Sequence, residues 1–341
     1  MRYLKVYFLG LTVFTLASCT SNSDTTKLGN WIKRADYQGD ARREAVSFVI
    51  GDTAYVGTGF GGTGDGAKLN DFWKYDPVKD AWTSMAALAD PADATHDLSR
   101  LGATGFAVGT KGYVTTGYNN NYEMLKDTWE FDPATNTWQS RADFPGAARY
   151  YAVSFGLGNY GYVGTGSSGT SGSNFSDFYK FNPSSNSWTE ANPLKDKRKQ
   201  AVAFVIKDSA YVVTGVSNTE SSTRMYVYDA ANDQWNERWQ IKNATDGSFD
   251  DDYTTIARYG AVAFVIDNIA YLATGSLSNT WAYNPVSGYW TEKTAFDAAS
   301  RTGAVGFSVK NRGYVALGLA SSTQLDDCHE FKPLQENDTN D

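Results

Sequence analysis

Arg42-Arg43-Glu44-Ala45-Val46-Ser47-Phe48-Val49-Ile50-Gly51-Asp52-Thr53-Ala54-Tyr55-Val56-Gly57-Thr58-Gly59 holds two apolar runs split by Gly51-Asp52. A two-residue Gly-Asp break between such runs predicts a β-hairpin over 45–50 and 53–59. The stretch is one copy of six. Each copy opens on Arg, has Phe six residues on, Tyr seven after that and Gly four later. The series is Arg42, Phe48, Tyr55, Gly59; Arg100, Phe106, Tyr113, Gly117; and Arg149, Phe155, Tyr162, Gly166. It continues Arg198, Phe204, Tyr211, Gly215; Arg258, Phe264, Tyr271, Gly275; and Arg301, Phe307, Tyr314, Gly318. A period near ~50 residues means one supersecondary unit stacked on its own copies.

A second half-unit follows each hairpin, with alternating aromatics, turn residues such as Asp76-Pro77, and a Trp seven residues beyond the second aromatic. The pairs are Tyr75 with Trp82, Phe131 with Trp138, Phe181 with Trp188, Tyr228 with Trp235 and Tyr283 with Trp290. The sixth unit has Phe331 and no Trp after it. Trp31 lies eleven residues before Arg42, the spacing of Trp138 to Arg149 and of Trp290 to Arg301. An N-terminal strand therefore completes the last unit and closes a ring, which removes the exposed edges of an open sheet.

These residues resemble the Kelch and galactose-oxidase-like propeller family over roughly 30–333. The resemblance implies an all-β fold: a six-bladed Kelch-type β-propeller of four-stranded antiparallel blades, closed by an N-terminal strand. One departure stands out. The family's double glycine after the second strand is Thr-Gly in five units and Leu317-Gly318 in the sixth. The 22 Tyr, 18 Phe, 10 Trp and 32 Gly against only 8 Pro suit many short aromatic strands and argue against disorder. Both faces of a blade pack on neighbours, so most of these rings are expected core.

Net charge is −8, and no Lys/Arg run exceeds the 195–199 cluster, so nucleic acid has no electrostatic footprint to bind. Arg2 and Lys5 precede an apolar stretch over 7–16, the layout of a secretory leader and too short for a spanning helix. Leu16-Ala17-Ser18-Cys19 resembles a bacterial lipobox. The expected organisation is a leader at 1–18, lipidated Cys19, a polar tether through 29, the propeller at 30–333 and a polar tail at 334–341. That implies a bacterial envelope protein, at the outer membrane, touching lipid only through its anchor. With Cys19 lipidated, Cys328 is the remaining cysteine and no intramolecular disulfide can form.

Antiparallel order puts the loops between second and third strands, and the links between blades, at one end. There lie the long loops 60–70, 118–126 and 167–176, and the insertions 83–99 and 236–257 enlarge that end. In the resembling family the innermost strand begins at the repeat arginine. Arg42, Arg100, Arg149, Arg198, Arg258 and Arg301 are therefore expected to ring the mouth of a central channel and to invite an anion. Asp71, Asp127, Asp177 and Asp327, two residues before the third-strand aromatic, offer counter-charges, whereas Arg224 and Asn279 occupy that place in units four and five. Arg198 and Arg258 are thus expected to contact an anionic ligand. Asp246, Asp250, Asp251 and Asp252 could neutralise surplus charge or hold a cation, but lack EF-hand spacing. Phe60, Tyr118, Tyr122 and Phe175 are candidates to stack on a ligand.

Copper radical oxidation, as in galactose oxidase, needs two histidines, two tyrosines and a cross-linked cysteine. With only His96, His329 and Cys328 to draw on, the chain cannot build that site. Gly59 to Gly64 fits a dinucleotide pattern but precedes another strand instead of a helix. No metal or cofactor is expected. The favoured function is non-catalytic binding or scaffolding of a glycan, peptide or envelope protein at the loop-rich face. The alternative is a mutarotase or epimerase for an acidic sugar, with Glu44 or His96 as acid or base at the mouth.

Overall fold

The computed structural model describes residues 27–62, 67–169, 174–338 and 340. Cys19, the leader and most of the tether lie outside the described residues. Every regular element among them is a β-strand, and the long strands assemble into six four-stranded antiparallel sheets. Blade one is Val46–Ile50, Thr53–Gly57, Phe72–Asp76 and Ala81–Met85, paired in that order. The innermost strands touch in sequence order, and the sixth (Val305–Val309) returns to the first, which closes the ring around a central channel.

The repeat spacing has a direct physical meaning. Phe and Tyr seven apart face each other across the hairpin, as in the register Phe48 to Tyr55. All six pairs stack, with centroids 5.0–5.7 Å apart and planes within 17°. Each such ring packs on the next blade, and there glycine makes room: a Cβ at Gly161 would sit 1.9 Å from Phe106. The Trp side chains act between blades as well. The indoles of Trp82, Trp138, Trp188 and Trp235 donate to Ala35, Ala86, Ala142 and Asn192 carbonyls at 2.9–3.0 Å.

Blade six is completed by Asn30–Arg34, which pairs antiparallel with Thr323–Lys332. Trp31 is buried there, its ring 4.7 Å from Phe331 and 4.8 Å from Phe296. Arg34 donates from Nε to the buried Glu330 carboxylate at 2.8 Å, and Arg312 and Lys332 reach the same carboxylate. Burial alone would raise the Glu330 carboxyl, but these three cations outweigh it and lower it to about 2. The ends are docked too: Gly29 N–H donates to Gln335 O at 2.8 Å, and Asp338 N–H donates to the Asn30 side chain at 2.9 Å.

The insertion 236–257 departs from expectation. Phe249 stacks on Tyr289 at 4.6 Å and on Trp239 at 4.4 Å, and Tyr289 belongs to the turn between the third and fourth strands of blade five. The segment thus runs along the flank between blades four and five instead of only widening the loop-rich end. Asp250 is 1% exposed and accepts from the N–H groups of Ala244 and Thr245 and from the Thr245 hydroxyl. That carboxylate holds its own loop and reaches none of the six arginines.

Candidate functional site

The six repeat arginines do not line the channel. Each is at most 1% exposed, with its guanidinium turned into the blade. In every blade Nη1 donates to the carbonyl sixteen residues on: Thr58, Thr116, Thr165, Thr214, Thr274 or Leu317. Those residues sit at φ of 56–65°, costly for a β-branched side chain, and the arginine bond helps hold them there. This accounts for the Thr-Gly departure: the Thr adopts the left-handed backbone of the missing glycine. The following Gly then donates to the next blade's arginine carbonyl, as Gly59 does to Arg100 O at 2.7 Å.

The expected carboxylate pairs form. Arg42, Arg100, Arg149 and Arg301 are bidentate to Asp71, Asp127, Asp177 and Asp327. Burial would raise the Asp71, Asp127 and Asp327 carboxyls, but all three are held below the usual range, Asp71 and Asp127 chiefly by hydrogen bonds and charge from their arginines, Asp327 by a hydrogen bond with His329 and then by Arg301. Arg198 and Arg258 correct the expectation of ligand contact. Asp196, two residues upstream, takes the place of the missing aspartate and accepts from Arg198 Nε at 3.0 Å and Nη2 at 2.5 Å. Among the described residues Arg258 donates only to carbonyls, including Asn279 O at 2.8 Å and Thr274 O at 3.0 Å, and burial pushes it down to about 10. Buried guanidinium groups with their donors engaged present no face to a ligand, so the ring is framework.

The channel mouth belongs to the residues two positions after each arginine: Glu44, Gly102, Tyr151, Gln200, Gly260 and Gly303. All six are left-handed, with φ of 52–65°. Their main chains form a belt across the blades: Glu44 N–H donates to Gly303 O, Gly102 to Glu44, Tyr151 to Gly102, Gln200 to Tyr151 and Gly260 to Gln200, at 2.7–3.3 Å. Glycine accepts this conformation freely, whereas Glu, Tyr and Gln are strained in it. The strained three are the side chains aimed at the opening. Tyr151 reaches across Gly102 and donates its hydroxyl to Glu44 Oε1 at 2.7 Å, and Arg43 donates to the same oxygen at 3.3 Å. Burial, with the charge and hydrogen bond of Glu44, holds the Tyr151 phenol well above its ordinary value, so it stays a neutral donor.

Below this belt every blade contributes one alanine: Ala45, Ala103, Ala152, Ala201, Ala261 and Ala304. The cavity they enclose with the mouth residues is ≈ 160 Å³. Side chains deeper in the wall, such as Ser47, Ser154, Ala203 and Val205, are small and uncharged. The chemistry of the channel is therefore concentrated at its mouth. Tyr150 packs on Tyr151 at 4.2 Å and on Tyr118 at 6.2 Å, which extends the site onto the loops. Phe60 carries the Arg43 guanidinium 5.0 Å above its ring. Phe175 lies under Arg149 at 4.1 Å and belongs to the framework.

Of the two acid–base candidates, Glu44 lies at the mouth. His96 does not: its Nδ1 pairs with Asp90 at 3.1 Å in the first insertion, and it lines a separate cavity with Glu123 and Asp127. Sequence reasoning passed over Tyr151 and Gln200. The signal was the glycine at the matching position of three units, which marks a left-handed site that these two share.

The Attractin/LZTR1 beta-propeller family model matches residues 21–280. Kelch-like protein 25 of Xenopus tropicalis is 25% identical over 217 residues, 64% of this chain and 35% of that protein. N-acetylneuraminate epimerase of Yersinia enterocolitica is 34% identical over 157 residues, 36% of this chain and 39% of that protein. The chain thus spans little more than a third of these relatives' length. The solved structure of YjhT superposes with a TM-score of 0.67 at 16% identity, covering 86% of this chain and 95% of that one. Together with the six closed blades and the repeat that builds them, the match over residues 21–280 establishes that the chain belongs to the Attractin/LZTR1 β-propeller family.

Proposed function

We propose that this propeller is a binding protein that holds a glycan at its channel mouth, with Glu44, Tyr151 and Gln200 as polar contacts and Tyr118, Tyr150 and Phe60 as the aromatic rim. The observation that carries this reading is the strain. Three non-glycine side chains occupy left-handed backbone at one opening, in a belt where glycine fills the same position in the other blades. A polar floor beside aromatic faces suits a sugar, which presents hydroxyl edges and apolar C–H faces. The same proposal anchors the protein in a bacterial envelope through lipid on Cys19, with the loop-rich face free for a glycan, peptide or protein partner.

A second reading has one specific support. Glu44 accepts a hydrogen bond from a phenol held neutral, and such a pair could pass a proton at a sugar's anomeric centre. The partial likeness to a protein named as an epimerase of an acidic sugar favours weighing it. A glycan array probed with the purified protein, followed by proton NMR of anomer exchange in each bound sugar, separates the readings. Binding without faster exchange is the expected result. Accelerated exchange, lost in Glu44→Gln, would establish the enzymatic reading, and an array with no bound glycan would overturn both.

A further inference from the structure

Four tyrosines step from a loop tip to the channel mouth. Tyr122 is 78% exposed at φ +64°, and its N–H donates to Asn119 O at 3.1 Å. The strained tip is fixed from below: Asn119 accepts from Glu123 N–H at 2.9 Å and donates to the Glu123 carboxylate at 2.9 Å. From Tyr122 the rings run to Tyr118 at 6.1 Å, to Tyr150 at 6.2 Å and to Tyr151 at 4.2 Å, and Tyr151 ends on Glu44.

Lys68 enters this track from the neighbouring blade. It is 9% exposed, and its Nζ lies 4.8 Å from the Tyr118 ring and 4.9 Å from the Tyr122 ring. Its main chain is held by Asn120, whose side chain accepts from Lys68 N–H at 3.1 Å. Among the described residues neither a carboxylate nor any other acceptor meets the ammonium. Two aromatic faces flank that ammonium, and among the described residues its three donors meet no oxygen, which leaves them open to a ligand.

Resting on the glycan reading of the mouth, we infer that this track is an extended subsite for an acidic oligosaccharide, one of whose carboxylates pairs with Lys68. The track from the exposed Tyr122 ring to the mouth crosses three ring-to-ring steps of 4.2–6.2 Å, longer than one sugar, so it takes several units and not a single sugar. An extended peptide fits less well. Tyr118–Asn119 is already paired with Arg100–Leu101, and Tyr118 bridges to Met124, so that segment offers no free main-chain edge to an added strand.

Titration of the full-length protein in detergent with galacturonate oligosaccharides of one to four units tests this, with neutral galactose oligomers of equal length and a tetraglutamate peptide alongside. Affinity is expected to rise at least tenfold from one to four units in the acidic series, because added units engage pre-formed faces. Tyr122→Ala, at an exposed side chain, should return the tetrasaccharide close to the monosaccharide's affinity. Lys68→Gln should bring acidic and neutral tetrasaccharides level. Monosaccharide binding with no gain in length, or a gain that survives Tyr122→Ala, overturns the track and leaves the mouth reading standing. Equal binding of tetraglutamate overturns the carbohydrate assignment. No binding by any sugar overturns both.

Discussion

Arg149→Ala is expected to lower the unfolding free energy by about 2–4 kcal/mol, measured by urea denaturation. The guanidinium accounts for both oxygens of Asp177, at 2.6 and 2.8 Å, and for the Thr165 carbonyl at 2.8 Å. Its removal leaves a carboxylate and a left-handed carbonyl without their partner. The effect stays below that of a wholly buried pair because Asp177 keeps 30% exposure. Arg198→Ala should fall in the same range, since it orphans Asp196, 17% exposed, which substitutes for the absent third-strand aspartate. Arg258→Met should cost less than either, because it strands carbonyls and no carboxylate. If Arg149→Ala stays within ~0.5 kcal/mol of wild type, as ordinary surface changes do, the ring is not framework.

Deletion of residues 1–35 should have the larger consequence. It removes Asn30–Arg34 and leaves the long strand Thr323–Lys332 with an unpaired edge. The buried Trp31 ring is lost from between Phe296 and Phe331, and one of the three cations is lost from Glu330. A buried Trp alone is worth about 3–5 kcal/mol, and the open edge invites association between copies. The expected result is a melting temperature lower by about 10 °C or more, or aggregation on a sizing column. A monomer with unchanged melting would mean that the N-terminal strand does not close the ring.

The blades were legible because the repeat encodes contacts that are local in sequence. Phe48 and Tyr55 meet across a two-residue turn, and that spacing survives in every copy. Trp31 was legible by the same arithmetic, as the missing fourth strand of blade six. So were the bidentate pairs of Arg42, Arg100, Arg149 and Arg301, since donor and acceptor recur at fixed offsets. The direction of the arginines was not legible. It depends on a left-handed turn at Glu44 and its counterparts, which swings the guanidinium into the blade and turns the next side chain but one to the channel. Glycine announces such a turn at Gly102, Gly260 and Gly303, but Glu44, Tyr151 and Gln200 conceal it. Asp196 escaped notice because its partner Arg198 lies two residues away and not across the blade. The Lys68 cage escaped because its rings come from the loop of a neighbouring blade, a contact that no spacing within one repeat encodes.

The most direct test is calorimetric titration of wild type, Tyr151→Phe and Glu44→Gln with the tightest glycan found on the array, with thermal unfolding measured in parallel. Both substitutions alter the polar floor while leaving the backbone belt and the buried arginines in place. At least tenfold weaker binding is predicted for each variant, as expected when a hydrogen-bonded polar contact to a ligand is lost, with melting lowered by no more than a few degrees because the Tyr151–Glu44 hydrogen bond goes with it. Wild-type affinity in both variants would contradict the channel mouth as the binding site.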